Sequence, residues 1–409
     1  MNRFLPCPGL IAMLVILTGC GPAPDAVRPL ALDSTAGASL PRLTAGGDDQ
    51  LWLSWVERLD GDAHRLRFSR FETDHWEPAR TVAEGRGWFV NWADFPSVVP
   101  LGGDLAAAHW LIKRPGGTYA YDVAIAISTD GGESWSQPRR PHDDRSATEH
   151  GFATLFPVAG KVGAVWLDGR NMPPADTGGH AGHADHGGGM SLRFGLLSPG
   201  AGAIADREID HLTCDCCQTG AAVSDDGVVA VYRDRDVEEI RDISYTRFED
   251  GQWSAPRTLA ADGWRIEGCP VNGPAIDAKG RAVVVAWFTG AGEPRVQASW
   301  SADGGRSFFA PVTIGSGGVM GRVDVAMVAD DSAVVSWMAG SGGESRAEIR
   351  YRRMDADGTL GPVRRLDTTS AARGAGFPQL AAGGDGLVFA WTRTGGDGGI
   401  ATVTVPQAP

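Results

Sequence analysis

Apolar and polar residues alternate with a period of two in short runs along most of the chain, and the runs recur in one order. A short apolar strand, a Gly/Asp turn and a second strand closing on an aromatic appear seven times: LPRLTAGGDDQLWLSW, FPSVVPLGGDLAAAHW, FATLFPVAGKVGAVW, GAAVSDDGVVAVY, GPAIDAKGRAVVVAW, VDVAMVADDSAVVSW and FPQLAAGGDGLVFAW. The closing aromatics are Trp55, Trp110, Trp166, Tyr232, Trp287, Trp337 and Trp391, at intervals of 55, 56, 66, 55, 50 and 54 residues. Each copy but the last runs on into a third strand, as in HRLRFSRF, YDVAIAIS, DISYTRF and AEIRYRR, and then a fourth, often opened by proline (SAPRTL, FAPVTI, LGPVRRL). Period-two alternation is the mark of a half-buried strand. Four antiparallel strands repeated at a fixed interval predict the blades of a β-propeller.

The expectation is therefore an all-β chain forming one seven-bladed propeller of four-stranded antiparallel blades over residues 27–409. A six-bladed ring is the alternative, and it requires one copy to be set aside. The seventh copy has only three strands and ends in ATVTV. The segment VRPLALD, residues 27–33, reads as the missing fourth, so an N-terminal strand should close the last blade against residues 400–405.

Composition changes the picture ahead of residue 27. Arg3 and the apolar run of residues 10–17 have the length of a signal peptide rather than of a membrane span. The run ends in LTGC, which resembles the bacterial lipobox. That resemblance implies removal of residues 1–19, lipidation of Cys20 and a tether over residues 20–26. Gly21 in place of Asp implies the outer membrane, with the domain on its periplasmic face and the lipid as the sole membrane contact. The chain carries a formal charge of -13, with 3 lysines in its total of 37 lysines and arginines, and it has no lysine-rich run. That balance argues against nucleic acid as a partner. We expect a monomer.

Two turns, STDGGESW (residues 128–135) and SADGGRSF (residues 301–308), place Ser, Asp, Gly and an aromatic at fixed spacing. They resemble the Asp-box of the bacterial neuraminidase repeat, and the chain as a whole resembles the sialidase-like propeller lipoproteins of bacteria. The Asp holds turn amides and the glycines supply positive φ, so the motif speaks for architecture. Family resemblance at this level does not fix activity. The sialidase family clamps a carboxylate with three arginines and uses a Tyr–Glu pair with an Asp as acid/base; that Tyr sets it apart from two-carboxylate glycosidases.

In an up-and-down blade, the loop between strands two and three and the link into the next blade share one face. The unusual residues fall on that face. Arg170, Arg233, Arg235, Arg265, Arg322 and Arg373 are the candidates for gripping a carboxylate, since guanidinium forks match that group. Trp88 and Trp92 lie in the same set of loops, with Asp94 as the candidate acid. A Tyr–Glu pair cannot be assigned from the sequence, and no RIP motif precedes the first copy. The same face holds HLTCDCCQTG, with Cys214, Cys216 and Cys217, and the link carrying Cys269. It also holds an insertion with His180, His183, His186 and Met190.

Two readings of the thiols stand side by side. Cys217 and Cys269 are 52 residues apart, close to one repeat, which would place them in neighbouring links and allow a disulfide. Alternatively the four cysteines with the histidines and Met190 hold copper or zinc, as soft S and N ligands do. Three functions follow: a propeller that binds or hydrolyses an acidic, sialic-acid-like glycan or another small anion without a cofactor; a partner-binding propeller; or a copper- or zinc-handling envelope protein.

Overall fold

In the computed structural model, which describes residues 27–46, 50–172, 188–200, 206–343, 345–384, 386–395 and 398–406, the strands form seven antiparallel sheets in chain order. Each sheet is one of the seven copies. The second strands are Leu51–Arg58, Ala106–Lys113, Lys161–Asp168, Gly227–Arg233, Ala282–Thr289, Ser332–Gly340 and Gly386–Thr392. Their closing aromatics are all at most 4 % exposed. Blade 2 is the variant: three strands pair fully, and the fourth position is a single bridge from Arg139 to Ile125. Among the described residues no helix is long and apolar enough to cross a membrane.

The ring closes as the alternation predicts. Arg28–Pro29 pairs with the strand Ile400–Pro406 of blade 7, in the register Arg28 to Thr404 and Pro29 to Val403. The Leu30 amide donates to the Thr402 carbonyl at 2.9 Å, and the Thr402 hydroxyl donates back to the Leu30 carbonyl at 2.9 Å. Residues 1–26, with the expected signal, Cys20 and tether, lie outside the described residues.

Sheets that stand side by side bury their faces against one another. The described core accordingly divides into seven apolar clusters, one at each seam between neighbouring blades. The first strands line the axis around a cavity of about 790 Å³. Side chains staple these strands together. Asp277 accepts the Met327 amide of the next blade at 2.7 Å, and Asp324 accepts that of Leu380 at 2.8 Å. Thr44 donates to the Val98 carbonyl at 2.6 Å, and Arg42 to Gln379 at 2.9 Å.

Both Asp-boxes are built as turns. Asp130 accepts the Ser134 amide at 2.9 Å and Asp303 that of Ser307 at 2.9 Å, while the Ser128 and Ser301 hydroxyls accept the Gly132 and Gly305 amides. Gly132 and Gly305 have φ of 86° and 77°, where a side chain would be strained.

Candidate functional site

The mouth of the ring is shaped by irregular backbone. The first strands of blades 1, 3 and 6 each carry a bulge at the same end, between Ser39 and Arg42, Gly151 and Thr154, and Gly321 and Asp324. Each bulge places a non-glycine residue at positive φ: Leu40, Phe152 and Arg322. Bulges re-aim side chains, and backbone strain of this kind concentrates at functional clefts.

Arg322 and Arg373 meet here. Arg322 stacks over Trp92 at 5.1 Å and Arg373 reaches the same ring at 5.9 Å; Trp92 stacks in turn on Phe377 at 5.8 Å. Arg322 donates to the Gly376 carbonyl at 2.9 Å. Among the described residues neither guanidinium forms an ion pair with a carboxylate. Burial, reinforced by the charge of Arg373, pulls Arg322 down to about 10. Arg373 itself is exposed.

Asp94 lines the axial cavity close by. Its carboxylate accepts the Phe152 amide at 2.9 Å and the Tyr121 hydroxyl at 2.8 Å, and Tyr121 also lies 2.5 Å from Glu149. A phenol has one proton, so it can satisfy only one of its two carboxylates at a time. Burial raises Asp94 to about 7, and the Tyr121 hydrogen bond opposes the rise. The three groups come from the link into blade 2, the third strand of blade 2 and the link into blade 3. Gly151 makes the contact feasible: a Cβ there would lie 2.0 Å from Asp94 and 2.8 Å from the Tyr121 ring.

Tyr121 and Glu149, neither singled out in the sequence, thus stand beside the candidate acid Asp94, but Tyr121 is sealed. It is fully buried, with Phe89 stacked on it at 4.1 Å. Burial and the two carboxylates push its hydroxyl well above the ordinary phenol value, against what a nucleophile requires.

The remaining arginines, Arg265 excepted, are held by partners within the protein. Arg170 forks onto Asp168 at 2.8 Å and reaches Asp206 at 2.7 Å. Arg233, 1 % exposed, donates to the carbonyls of Asn272, Arg241 and Phe288 at 2.9, 2.6 and 2.7 Å and stacks over Trp264 at 4.7 Å. Arg235 is paired with Glu239 at 2.6 Å and Asp215 at 3.3 Å. Arg265 is exposed, 3.8 Å from Glu267. Trp88 is a packing residue, stacked on Trp110 at 5.6 Å. The arginine that does line the cavity is Arg42, beside Asp324; nothing in its strand, LPRLTA, marks it out.

The thiols converge, and among the described residues no disulfide links them. Cys214 lies 3.3 Å from Cys217 and 3.9 Å from Cys216, and Cys269 stands beside Cys216. Met190 is buried beside this loop, its amide bonded to Asp215 at 3.1 Å. His180, His183 and His186 lie outside the described residues. A second cluster was not anticipated: Asp122, His142 and His150 are buried together between blades 2 and 3, the two imidazoles stacked at 4.0 Å.

Buried ionisable groups make the pH response unusual. Burial raises Asp234, Asp277 and Asp324 to about 6 each, and Asp94 to about 7. Burial also lowers His142 to about 4 and His109 to about 3. As pH falls from 7 to 5 the folded chain takes up protons on the four carboxyls, which stabilises it. The unfolded chain takes up protons on the two histidines, which opposes the effect. Four raised carboxyls stand against two depressed imidazoles, so the fold should be more stable at pH 5 than at pH 7. Urea melts at the two pH values check this; a lower midpoint at pH 5 would refute it.

No family model matches the sequence, and no curated protein is similar to it. Solved structures are similar in fold. An endosialidase of phage phi92 aligns with a TM-score of 0.51 at 8% identity, over 94% of this chain and 70% of that one. A protein of unknown function from Dyadobacter fermentans DSM 18053 aligns at 0.48 and 15% identity, over 94% and 98%. A Trypanosoma rangeli sialidase in complex with the inhibitor DANA aligns at 0.49 and 12% identity, over 80% and 56%. The fold is that of a sialidase-like β-propeller.

Proposed function

We propose that this chain is an envelope lipoprotein whose propeller binds an acidic glycan at its mouth. One observation carries the reading: Arg322 and Arg373 both stand within 6 Å of the Trp92 ring without a carboxylate partner among the described residues. Two cations held together in a partly desolvated cleft repel each other, and a ligand carboxylate relieves that repulsion through charge-assisted hydrogen bonds. Trp92 and Phe377 supply an apolar surface for the carbon face of a sugar ring. Binding rather than hydrolysis fits the sealed Tyr121, whose proton is held tightly between Asp94 and Glu149. The anchor at Cys20 rests on the LTGC motif, and the outer-membrane location on Gly21 after it.

Calorimetry with N-acetylneuraminic acid and a neutral hexose is the test. The acid should bind and the hexose should not. Arg373→Ala, at an exposed position, should weaken binding at least tenfold with the melting temperature unchanged. A fluorogenic sialoside should not be turned over. Turnover that disappears in Tyr121→Phe would overturn the binding-only reading, and absence of any acid-dependent binding would overturn the glycan reading itself.

A further inference from the structure

The loop between blades 3 and 4 turns so that three sulfurs face one point. Cys214 and Cys217 are buried and Cys216 is partly covered. Their sulfur atoms all lie within 4.8 Å of one another, and Cys269, from the link into blade 5, joins through Cys216. Four-coordinate zinc takes thiolates at about 2.3 Å, so the sulfurs of such a site stand about 3.8 Å apart. The observed separations of 3.3 and 3.9 Å are of that size.

The surrounding charges favour thiolates. Arg241 donates to the Cys214 sulfur at 3.4 Å and to Glu239 at 2.8 Å. Arg235 is paired with Asp215 and Glu239, and Arg233 lies close by, bonded only to carbonyls. Three guanidinium groups thus face two carboxylates, leaving one positive charge over, beside Cys214. Zinc with three thiolates, or copper(I) with two, carries one negative charge and would cancel it. The backbone holds the site in place: the Cys214 amide donates to the Arg233 carbonyl at 3.1 Å, and Asp215 takes the Met190 amide.

We propose that Cys214, Cys216 and Cys217 form a thiolate centre for one soft d10 cation, zinc or copper(I), with Cys269 beside Cys216. It is independent of the glycan reading. The full chain, isolated from the envelope and dialysed against a weak chelator, should retain about one equivalent of metal by elemental mass spectrometry; which metal is found, and which selective chelator removes it, separates zinc from copper. Loading the emptied protein with cobalt(II) should produce a thiolate charge-transfer band in the near ultraviolet. Cys214→Ser should abolish both signals, and so should Cys216→Ser, a partly exposed position that guards against a folding defect. Cys20→Ser should leave both intact. If the isolated protein has no metal and its four thiols are unreactive in denaturant until a reductant is added, they are disulfides and the proposal falls. Equal metal retention in both variants would also overturn it.

Discussion

Arg233→Ala should destabilise the fold by about 4 kcal/mol or more, lowering the melting temperature by on the order of 10 °C. The sequence places Arg233 at the end of an apolar strand facing the mouth, which suggests a ligand contact that could be removed at little structural cost. The structure reverses that expectation. The guanidinium satisfies three backbone carbonyls from three separate segments and lies flat on Trp264. Truncation would leave those carbonyls buried without donors and a void against the indole. Lysine should rescue only partly, because a point charge cannot serve three divergent acceptors and stack at once. Thermal denaturation followed by circular dichroism decides the matter. A melting temperature within a few degrees of the parent would mean that water or a neighbour takes over the carbonyls.

Deleting residues 27–33 should be comparably damaging. The pairing is short, but it covers the outer edge of blade 7, and an uncovered edge invites pairing with another chain. The deletion also removes Leu30, buried in the seam between blades 7 and 1 with Trp55 and Trp76. Burial of one leucine accounts for about 2–3 kcal/mol. Trp76 depends on the same place, since its indole donates to the Thr402 hydroxyl at 3.1 Å. The truncated domain should melt earlier and elute as soluble aggregates in size-exclusion chromatography, while Leu30→Ala should show the packing loss alone. A monomeric deletion variant with the parent's melting temperature would show that the clasp is dispensable.

The contrast between these two cases shows what could be read from the chain. Strand closure was legible because alternation and repeat length are written in consecutive residues: a copy with three strands and a spare strand at the other end leave one solution. The partners of the mouth residues were not. Arg233 binds carbonyls 8, 39 and 55 residues away, and acceptors of that kind leave no mark in the side-chain sequence. Asp94, Tyr121 and Glu149 come from three separate stretches; the sole local signal is Gly151, whose missing Cβ is explained only once Asp94 is beside it. The thiols show an intermediate case. Repeat arithmetic brought Cys269 to the neighbourhood of the cysteine loop, where it stands beside Cys216, but residue spacing carries no information on which sulfurs would bond.

The division of the core into seams also sets an order of assembly. Six of the seven clusters join blades that follow one another in the chain, so each can form soon after the second member of its pair has been synthesised. The seventh joins Leu30 to Ile400 and must wait until nearly the whole polypeptide is available. Contacts between distant residues are slow to form, although the entropy of closing such a loop grows only logarithmically with its length. The nascent domain is therefore an open arc with two unsatisfied ends for most of its synthesis. During that interval a chaperone that shields strand edges would have its main work to do.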